Sequence, residues 1–238
     1  MTGKALLVAS SHYGPIYPDG KNTGVHFSEL LTPYQIFRQA GLDVDITSEK
    51  GTCKFDDVSV DESQLPAEIK NVLHDKSNEF WTAINNMKRA ADVDYSQYKI
   101  FFVAGGHAAL FDLPGAIDLQ AIAAQIYKNG GIISAVCHGP VILPFISDLT
   151  RPNASSIVQG RKVTAFNKAG EESMNVLDIM KQKHLQTMND LFKDAGAHFV
   201  DPPKPTDDFV QSDSRIVTGV NPQSAASTAK AALEASKA

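Results

Sequence analysis

The sequence predicts a single α/β domain, residues 1–238, built on an open, doubly wound and mostly parallel sheet with helices on both faces. Apolar, strand-like runs alternate with helical stretches along the chain, which is the order of strand–helix–strand units. The two long central runs, 98–103 and 132–136, are apolar at nearly every position and show no alternation, as parallel strands covered on both faces do. With 238 residues, of which 43% are hydrophobic and 21% charged, the chain is long enough to bury one large core.

The first part of the chain predicts two strands, the helix between them and an inserted excursion. Residues 4–9 and 43–47 are strand-like, and the helical stretch between them ends where Gly41 suits a C-cap. Residues 52–90 are polar and irregular as far as residue 75 and weakly helical beyond it, so we expect a small excursion from the sheet.

The rest of the chain continues the alternation around the two central runs. The pair Gly130 and Gly131 ends the helix that precedes the second run. The predicted elements are, in chain order, a strand at 98–103, a helix at 115–129, a strand at 132–136, a strand at 163–166, a helix at 172–195 in one or two pieces, a strand at 216–218 and a helix at 224–237.

Composition and charge argue against several classes of protein. The net charge of -5 and the pI of about 5.8 give no electrostatic support for binding nucleic acid. No apolar run approaches the roughly 20 residues that span a bilayer, so no membrane partner is expected. The first apolar run lacks a cleavage site and predicts a strand rather than a signal peptide. Cys53 and Cys137 are expected to be free thiols in a reducing cytoplasm, with a nuclear share left open.

Residues 134–140 are the most informative segment of the sequence. An apolar strand runs into Cys137, and small residues, Ala135 and Gly139, stand two positions before and after it. This is the spacing of a nucleophile elbow with cysteine in place of serine, because a tight strand-to-helix turn tolerates only small neighbours. A helix that starts at Pro140 would point its N-terminus at the sulfur and favour the thiolate. A buried structural cysteine is the alternative.

Two neighbouring features favour the catalytic interpretation. At an elbow the backbone turns sharply, so the imidazole of His138 can lie beside the sulfur as an acid–base group if an acceptor orients it. Residues 104–107, Ala-Gly-Gly-His, directly follow the other central strand, where glycine N–H groups can form an oxyanion hole beside Cys137. A plain turn between a strand and a helix is the alternative for that run.

The motifs at 104–107 and 135–140 resemble those of the ThiJ/PfpI superfamily, also called class I glutamine amidotransferase-like. Within it, the chain resembles the fungal heat-shock branch, the glutathione-independent glyoxalases or glyoxalase III. The resemblance spans nearly the whole chain in order. Further matching motifs lie at 19–25, 28–33, 110–112, 129–131, 164–166, 170–171 and 217–225.

The resemblance implies a flavodoxin-like sheet and catalytic roles for particular residues. It makes Cys137 the nucleophile, His138 its neighbour and Glu171 the acid that orients His138. Glu172 stands beside Glu171, and the Gly-Glu motif favours Glu171. The resemblance also makes Glu29 the carboxyl group that reaches the sulfur.

The same resemblance places Gly106 and His107 in the oxyanion-binding and substrate-binding part of the site. The backbone N–H of Gly106 is the expected donor to a developing oxyanion. Branch members often have glycine after this element, whereas this chain has Ala108, which bears on the width of the pocket mouth.

The position of Glu29 next to a helix irregularity has a chemical consequence. Pro33 lies four residues later and cannot donate a hydrogen bond to the carbonyl of Glu29. Either one helix bends near Glu29, or the helix begins near Leu31 with Pro33 in its first turn. In both cases the acid can be desolvated and kept protonated near neutral pH.

The resemblance implies conversion of methylglyoxal, a small 2-oxoaldehyde, and water to D-lactate through a cysteine hemithioacetal. Because such a substrate carries its own oxidant and reductant on adjacent carbons, no cofactor is expected. The resemblance also implies a homodimer. It leaves open a stress-induced holdase chaperone that binds unfolded client proteins, and a protein deglycase that uses the same cysteine.

Other candidate features are expected to have no catalytic role. The spacings of His12, His26 and His107 match no zinc signature, so no functional metal is expected. The glycine pairs belong to no G-x-G-x-x-G run, which argues against a dinucleotide. Cys53 is expected to be a bystander. Three further histidines are expected at the surface or in loops: His74, His184 and His198.

Overall fold

A seven-stranded sheet, parallel except at one edge, forms the centre of the protein and confirms the predicted fold class. The computed structural model describes residues 3–63 and 65–237. The strands are β1 (Lys4–Val8), β2 (Asp43–Ser48), β3 (Lys88–Arg89), β4 (Tyr98–Val103), β5 (Ile132–Val136), β6 (Val210–Asp213) and β7 (Ile216–Gly219). Their order across the sheet is β6-β7-β5-β4-β1-β2-β3, and only the edge strand β6 runs antiparallel to its neighbour.

Nine helices are found among the described residues. They are α1 (Phe27–Gln39), α2 (Ala67–His74), α3 (Glu79–Asn85), α4 (Ala109–Asp112), α5 (Ile117–Lys128), α6 (Lys168–Ser173), α7 (Leu177–Gln182), α8 (Met188–Asp194) and α9 (Ala225–Ala235). Short 3₁₀ segments occupy Ala90–Asp92, Tyr95–Gln97, Leu113–Gly115, Gly139–Phe145 and Pro222–Ser224. Two small ladders pair Gly14–Pro15 with Asn22–Thr23 and Lys162–Val163 with His198–Phe199. In the part of the chain just described, no helix is both long and apolar enough to cross a bilayer.

The side chains of the central strands alternate between two hydrophobic cores, one on each face of the sheet. In β1, Leu6 and Val8 pack in the core that contains α5, whereas Ala5 and Leu7 pack in the core that contains α1 and α9. Because both sets are fully buried, β1 is apolar at every position after Lys4. This burial explains the unbroken apolar runs that predicted parallel strands.

The order of the strands creates a crevice at the carboxyl edge of the sheet. From β1 the chain passes through α1 to β2 on one side, whereas from β4 it passes through α5 to β5 on the other. Ligands of open α/β sheets bind where two adjacent strands diverge in this way. The segments that follow β1, β4 and β5 all emerge at this edge.

Several predicted elements differ in extent from the observed ones. The helical stretch predicted at 172–195 consists of α6, α7 and α8, which begin at Lys168, and the strand predicted at 163–166 covers only Lys162–Val163. The first part of the excursion, residues 52–75, was predicted to be irregular, but it contains helix α2. The central strands at 98–103 and 132–136 are confirmed at both ends.

Helix α1 contains both Glu29 and Pro33, so the alternative in which a helix begins near Leu31 is wrong. Its end is the predicted glycine cap. Gly41 has a φ of 83°, and the N–H of Leu42 donates to the carbonyl of Phe37 over 3.0 Å. A glycine with positive φ satisfies the last carbonyls of a helix in this way.

Candidate active site

Cys137 sits on a strained turn directly after β5. Its φ is 60°, a left-handed conformation that is uncommon for residues other than glycine. The turn is held from both sides, because the N–H of Cys137 donates to the carbonyl of Gly219 and its carbonyl accepts from the N–H of Phe166, both over 2.9 Å. A Cβ on Gly139 would lie 2.5 Å from the carbonyl oxygen of Val103. The small residue predicted two positions after the cysteine is therefore required by the packing.

His138 links the sulfur to a carboxylate. Nδ1 of His138 lies 3.3 Å from Sγ of Cys137, and Nε2 lies 2.7 Å from Oε1 of Glu171. Both Glu171 and His138 are almost fully buried, whereas the neighbouring Glu172 is exposed. The structure therefore brings Cys137, His138 and Glu171 together in a Cys–His–Glu arrangement.

The charges around Glu171 keep it ionised inside the protein. Burial alone would raise the pKa of Glu171, but the imidazoles of His138 and His107 outweigh burial and lower it to about 2. Burial lowers the pKa of His138, and the charge of His107 lowers it further, against the attraction of Glu171. At neutral pH His138 is thus an uncharged imidazole whose Nε2–H faces the carboxylate. Its Nδ1 is then free to accept the thiol proton.

The two glycines after β4 fit the space beside the cysteine. A Cβ on Gly105 would lie 2.8 Å from both Cβ of Cys137 and Oε2 of Glu29. Gly106 has a φ of 99°, and a Cβ there would collide with the carbonyl oxygen of Gly24. The N–H of Gly105 donates to Glu29, whereas the N–H of Gly106 faces the sulfur of Cys137. Gly106 is therefore the glycine of this pair whose donor is available at the reacting atom.

Glu29 reaches the sulfur from the first turn of α1. Its Oε2 accepts the N–H of Gly105 over 2.8 Å. Burial raises the pKa of Glu29 to about 8, although the hydrogen bond from Gly105 and the nearby thiol of Cys137 oppose the shift. At neutral pH this carboxyl group therefore holds a proton next to the sulfur. The expectation that Glu29 is desolvated and protonated agrees with this geometry.

The expectation that a helix N-terminus ionises Cys137 is wrong. The segment after the turn is the 3₁₀ segment Gly139–Phe145, which is too short and irregular to act as a helix dipole. Burial, followed by the charge of Glu29, raises the pKa of the Cys137 thiol well above its ordinary value, against the opposing N–H of Gly106. The resting residue is a thiol, so a base must accept its proton during attack.

The site contains two residues that the sequence interpretation missed, Tyr17 and Asp56. The hydroxyl of Tyr17 donates to Oδ2 of Asp56 over 2.7 Å and lies 3.5 Å from Nδ1 of His107. Tyr17 comes from the loop after β1 and Asp56 from the excursion at 52–90. Neither belongs to a motif with a recognisable spacing, so the sequence carries no signal that would bring them together.

The structure places His107 against Glu171 and His138. Its Nε2 lies 2.8 Å from Oε2 of Glu171, and its ring centroid is 4.0 Å from that of His138. The ring of His107 thus packs on His138 and bonds to the same carboxylate, whereas the sequence interpretation grouped His107 with Gly106 in substrate binding.

The cluster of His107, His138 and Glu171 does not offer a metal ion a set of free ligand atoms. Ligand atoms of His107, His138 and Glu171 lie within 4.8 Å of one another. However, each oxygen of Glu171 already accepts an imidazole N–H, so the atoms bond to one another rather than to a common point. We assign no metal to these residues.

The remaining candidates lie apart from the sulfur or bond elsewhere. His12 stacks on Phe111, and Nδ1 of His26 lies 3.2 Å from the hydroxyl of Ser28. Cys53 is half-buried, and burial raises the pKa of its thiol to about 12, consistent with a bystander. The three histidines expected at the surface or in loops are exposed: His74, His184 and His198.

Comparisons with known proteins identify the family of this chain and several of its relatives. The sequence profile of the DJ-1/PfpI family matches residues 22–235. A glutathione-independent glyoxalase of Schizosaccharomyces pombe is 56% identical over 235 residues, which cover 99% of this chain and 96% of that protein. Glyoxalase 3 of Candida albicans is 42% identical over 98% of both chains.

A solved structure shares the whole fold. The crystal structure of glyoxalase III from Candida albicans matches this chain with a TM-score of 0.95 and 42% sequence identity. The match covers 98% of this chain and 97% of that chain. The similarity therefore extends over the sheet, both helical layers and all the segments that form the site.

Proposed function

This chain belongs to the DJ-1/PfpI family, and from that premise we propose that it is a glutathione-independent glyoxalase. The proposed reaction converts methylglyoxal and water to D-lactate. Relatives that are 56% and 42% identical over almost the whole chain carry the glyoxalase name. The observation that carries the proposal is a single buried thiol flanked by two proton carriers, the protonated carboxyl of Glu29 and the neutral imidazole of His138.

The first step is attack of the Cys137 sulfur on the aldehyde carbon. His138 Nδ1 lies 3.3 Å from the sulfur and accepts the thiol proton as the S–C bond forms. The aldehyde oxygen gains negative charge, which the N–H of Gly106 stabilises and a proton from Glu29 or His138 neutralises. The product is a hemithioacetal with a proton on the former aldehyde oxygen. If Glu29 gave that proton, Glu29 is left as a carboxylate and His138 holds the thiol proton; if His138 gave it, His138 is neutral again and Glu29 keeps its proton.

The second step is an internal redox reaction between two adjacent carbons. Whichever of Glu29 and His138 gave its proton to the aldehyde oxygen now removes the proton from the carbon bonded to sulfur, and the other, which still holds a proton, protonates the ketone oxygen to give an enediol. Protonation of the former ketone carbon, with loss of the O–H proton from the carbon bonded to sulfur, gives a lactoyl thioester. The aldehyde carbon has been oxidised to the acyl level and the ketone carbon reduced to an alcohol, so no external oxidant or reductant is needed.

The last step is hydrolysis of the thioester by water. His138 takes a proton from the water, the oxygen bonds to the acyl carbon, and the C–S bond breaks. The sulfur recovers a proton, and lactate leaves. The restored thiol agrees with the raised pKa of Cys137, because a protonated sulfur is the stable form of the resting site.

The direct experiment is incubation of the protein with methylglyoxal in the absence of glutathione, with assay of lactate and its handedness. We expect D-lactate from the wild type and none from Cys137→Ala. The matched control is Cys53→Ala, because Cys53 is the other free cysteine and lies outside the site. Lactate from Cys137→Ala, or none from the wild type, would contradict the proposal.

Further properties implied by the resemblance stay predictions with tests of their own. We propose a homodimer, and light scattering coupled to size-exclusion chromatography measures its mass.

Holdase activity towards unfolded client proteins is tested by the aggregation of a heated client protein. Protection that survives Cys137→Ala would separate holdase activity from the glyoxalase activity. Deglycase activity requires release of a glycated group from a model amine. Imaging of a tagged chain tests the cytoplasmic location and its nuclear share.

A further inference from the structure

A single carboxylate in the site accepts hydrogen bonds from two imidazoles. Oε1 of Glu171 faces Nε2 of His138 at 2.7 Å, and Oε2 faces Nε2 of His107 at 2.8 Å. Glu171 is fully buried, and within residues 3–63 and 65–237 its ion pairs are with these two histidines. Burial of a carboxylate without a cation is costly. One of the two imidazoles should therefore carry a positive charge.

The hydrogen bonds around Tyr17 indicate that His107 carries it. Oδ1 of Asp56 accepts two backbone N–H groups, from Val58 and Ser59, and Oδ2 accepts the hydroxyl of Tyr17 over 2.7 Å. The single proton of Tyr17 is thereby used, so its oxygen can only accept from another group. Nδ1 of His107 lies 3.5 Å from that oxygen, a favourable contact if Nδ1 bears a proton. Because Nε2 must also bear a proton to bond to Glu171, the ring of His107 has two.

The contacts of His138, in contrast, require an uncharged ring. Its Nε2–H is donated to Glu171, and its Nδ1 lies 3.3 Å from a thiol whose proton is retained at rest. An acceptor at Nδ1 is a neutral ring. The two ring centroids are 4.0 Å apart, so two positive rings would repel each other strongly. One charged ring beside one neutral ring satisfies each of these contacts.

We propose that His107 is a positioning residue that carries the positive charge of the site, as an imidazolium held between Glu171 and Tyr17, and that it thereby leaves His138 as the neutral base beside Cys137. His107 is 3% exposed, so water screens this charge little. Burial lowers the pKa of the nearby His26 to about 4, so that ring does not compete for the charge. The titratable groups that face His107 are Tyr17, His26, Asp56, His138 and Glu171.

The proton count on each ring is directly measurable by nuclear magnetic resonance of the protein with ¹⁵N-labelled histidine. At pH 7 we expect both nitrogens of His107 to be protonated and one nitrogen of His138. The variant His107→Gln identifies the resonances of His107, which are missing from its spectrum. It also gives a second test, because glutamine keeps an N–H for Glu171 but carries no charge. In that variant His138 should take up the charge, and its titration should move up by about one pH unit or more.

A role of His107 in orientation alone predicts a different result. In that case the glutamine would restore the position of Glu171, and the titration of His138 would not move. A His107 ring with one protonated nitrogen at pH 7, or an unmoved titration of His138 in His107→Gln, would overturn the proposal.

The contribution of Tyr17 to the charge of His107 can be tested against Tyr13, a tyrosine of the same loop. The hydroxyl of Tyr13 donates to Asp57 over 2.6 Å at the surface, away from His107, whereas the hydroxyl of Tyr17 donates to Asp56 inside the site. Tyr17→Phe should reduce the doubly protonated fraction of His107 at pH 7, and Tyr13→Phe should leave it unchanged. Equal spectra for the two variants would show that Tyr17 does not contribute to that charge.

The kinetic consequence rests on the proposed glyoxalase function and is measured separately. The acid limb of lactate formation should move to higher pH in His107→Gln, in step with the titration of His138. The resonance experiment needs no turnover. If the wild type forms no lactate, the glyoxalase proposal fails while the charge of His107 is still decided by its spectrum.

Discussion

Nδ1 of His138 lies 3.3 Å from Sγ of Cys137, although the two residues are neighbours in sequence. Consecutive side chains of an extended strand point to opposite faces of the sheet. The left-handed φ of 60° at Cys137 breaks that alternation and brings both side chains to the carboxyl edge. The strain at this one residue therefore creates the contact between a nucleophile and its base.

Replacement of Glu29 by glutamine should slow lactate formation about 10²–10⁴-fold, because the variant cannot carry a proton to or from the carbons next to sulfur. Burial holds the pKa of Glu29 at about 8, so the free wild-type enzyme has the protonated acid below that pH. The wild-type kcat/KM should fall as the pH rises through about 8. A Glu29→Gln variant with nearly wild-type activity would exclude Glu29 as the main proton carrier.

Cys137 should show no thiolate at neutral pH, because burial raises the pKa of its thiol. The measurement is absorbance at 240 nm as a function of pH, for the wild type minus Cys137→Ser. We expect no step in this difference below about pH 9, the ordinary range of a free thiol. A step near pH 6 or 7 would show an ionised resting sulfur and would require a different first step.

Acid should destabilise the protein through Glu171. Its pKa is about 2 in the folded protein and 4.5 ordinarily, so its stabilising contribution is complete above about 4.5 and is lost as the pH falls towards 2. Urea unfolding at several pH values should show the wild type losing stability over this window more steeply than Glu171→Gln. Glu172→Gln is the matched control, because Glu172 is the exposed neighbour and should follow the wild type.

Gly106→Ala should destabilise the protein by at least about 1 kcal/mol, because a φ of 99° strains any other residue and the new Cβ would meet the carbonyl of Gly24. The comparison is with Gly115→Ala, where a Cβ would meet nothing within 4 Å. Urea unfolding of both variants measures the difference. Equal stability of the two would mean that the turn after β4 relaxes without cost.

The sequence predicted the parts of this protein that depend on local chemistry. Mostly apolar runs gave strands 98–103 and 132–136 at their observed ends, because burial of both faces leaves few polar positions, here Lys99 and Ser134. Small residues around Cys137 predicted the elbow, because steric exclusion acts within a few residues. The resemblance then supplied Glu29 and Glu171, which no local spacing connects to the cysteine.

The extents of other elements depended on contacts that the sequence pattern does not carry. The stretch predicted at 172–195 breaks into three helices, and positive φ angles at Asn175 and His184 lie between them. Helix α2 forms in a segment that is polar overall, because Ile69 and Val72 pack into the core on one face. Two buried side chains in a polar stretch are a weak signal in sequence.

By itself, the sequence determined which residue types stand at the carboxyl edge of the sheet, since residues that directly follow a parallel strand lie at that edge. Only the tertiary structure decided the protonation of Cys137. Burial, and not a helix terminus, sets the pKa values of Cys137 and Glu29, and it makes both neutral at rest. Tyr17 and Asp56 join the site from distant loops. Desolvation depends on all the atoms packed around a group, and a linear sequence does not specify that neighbourhood.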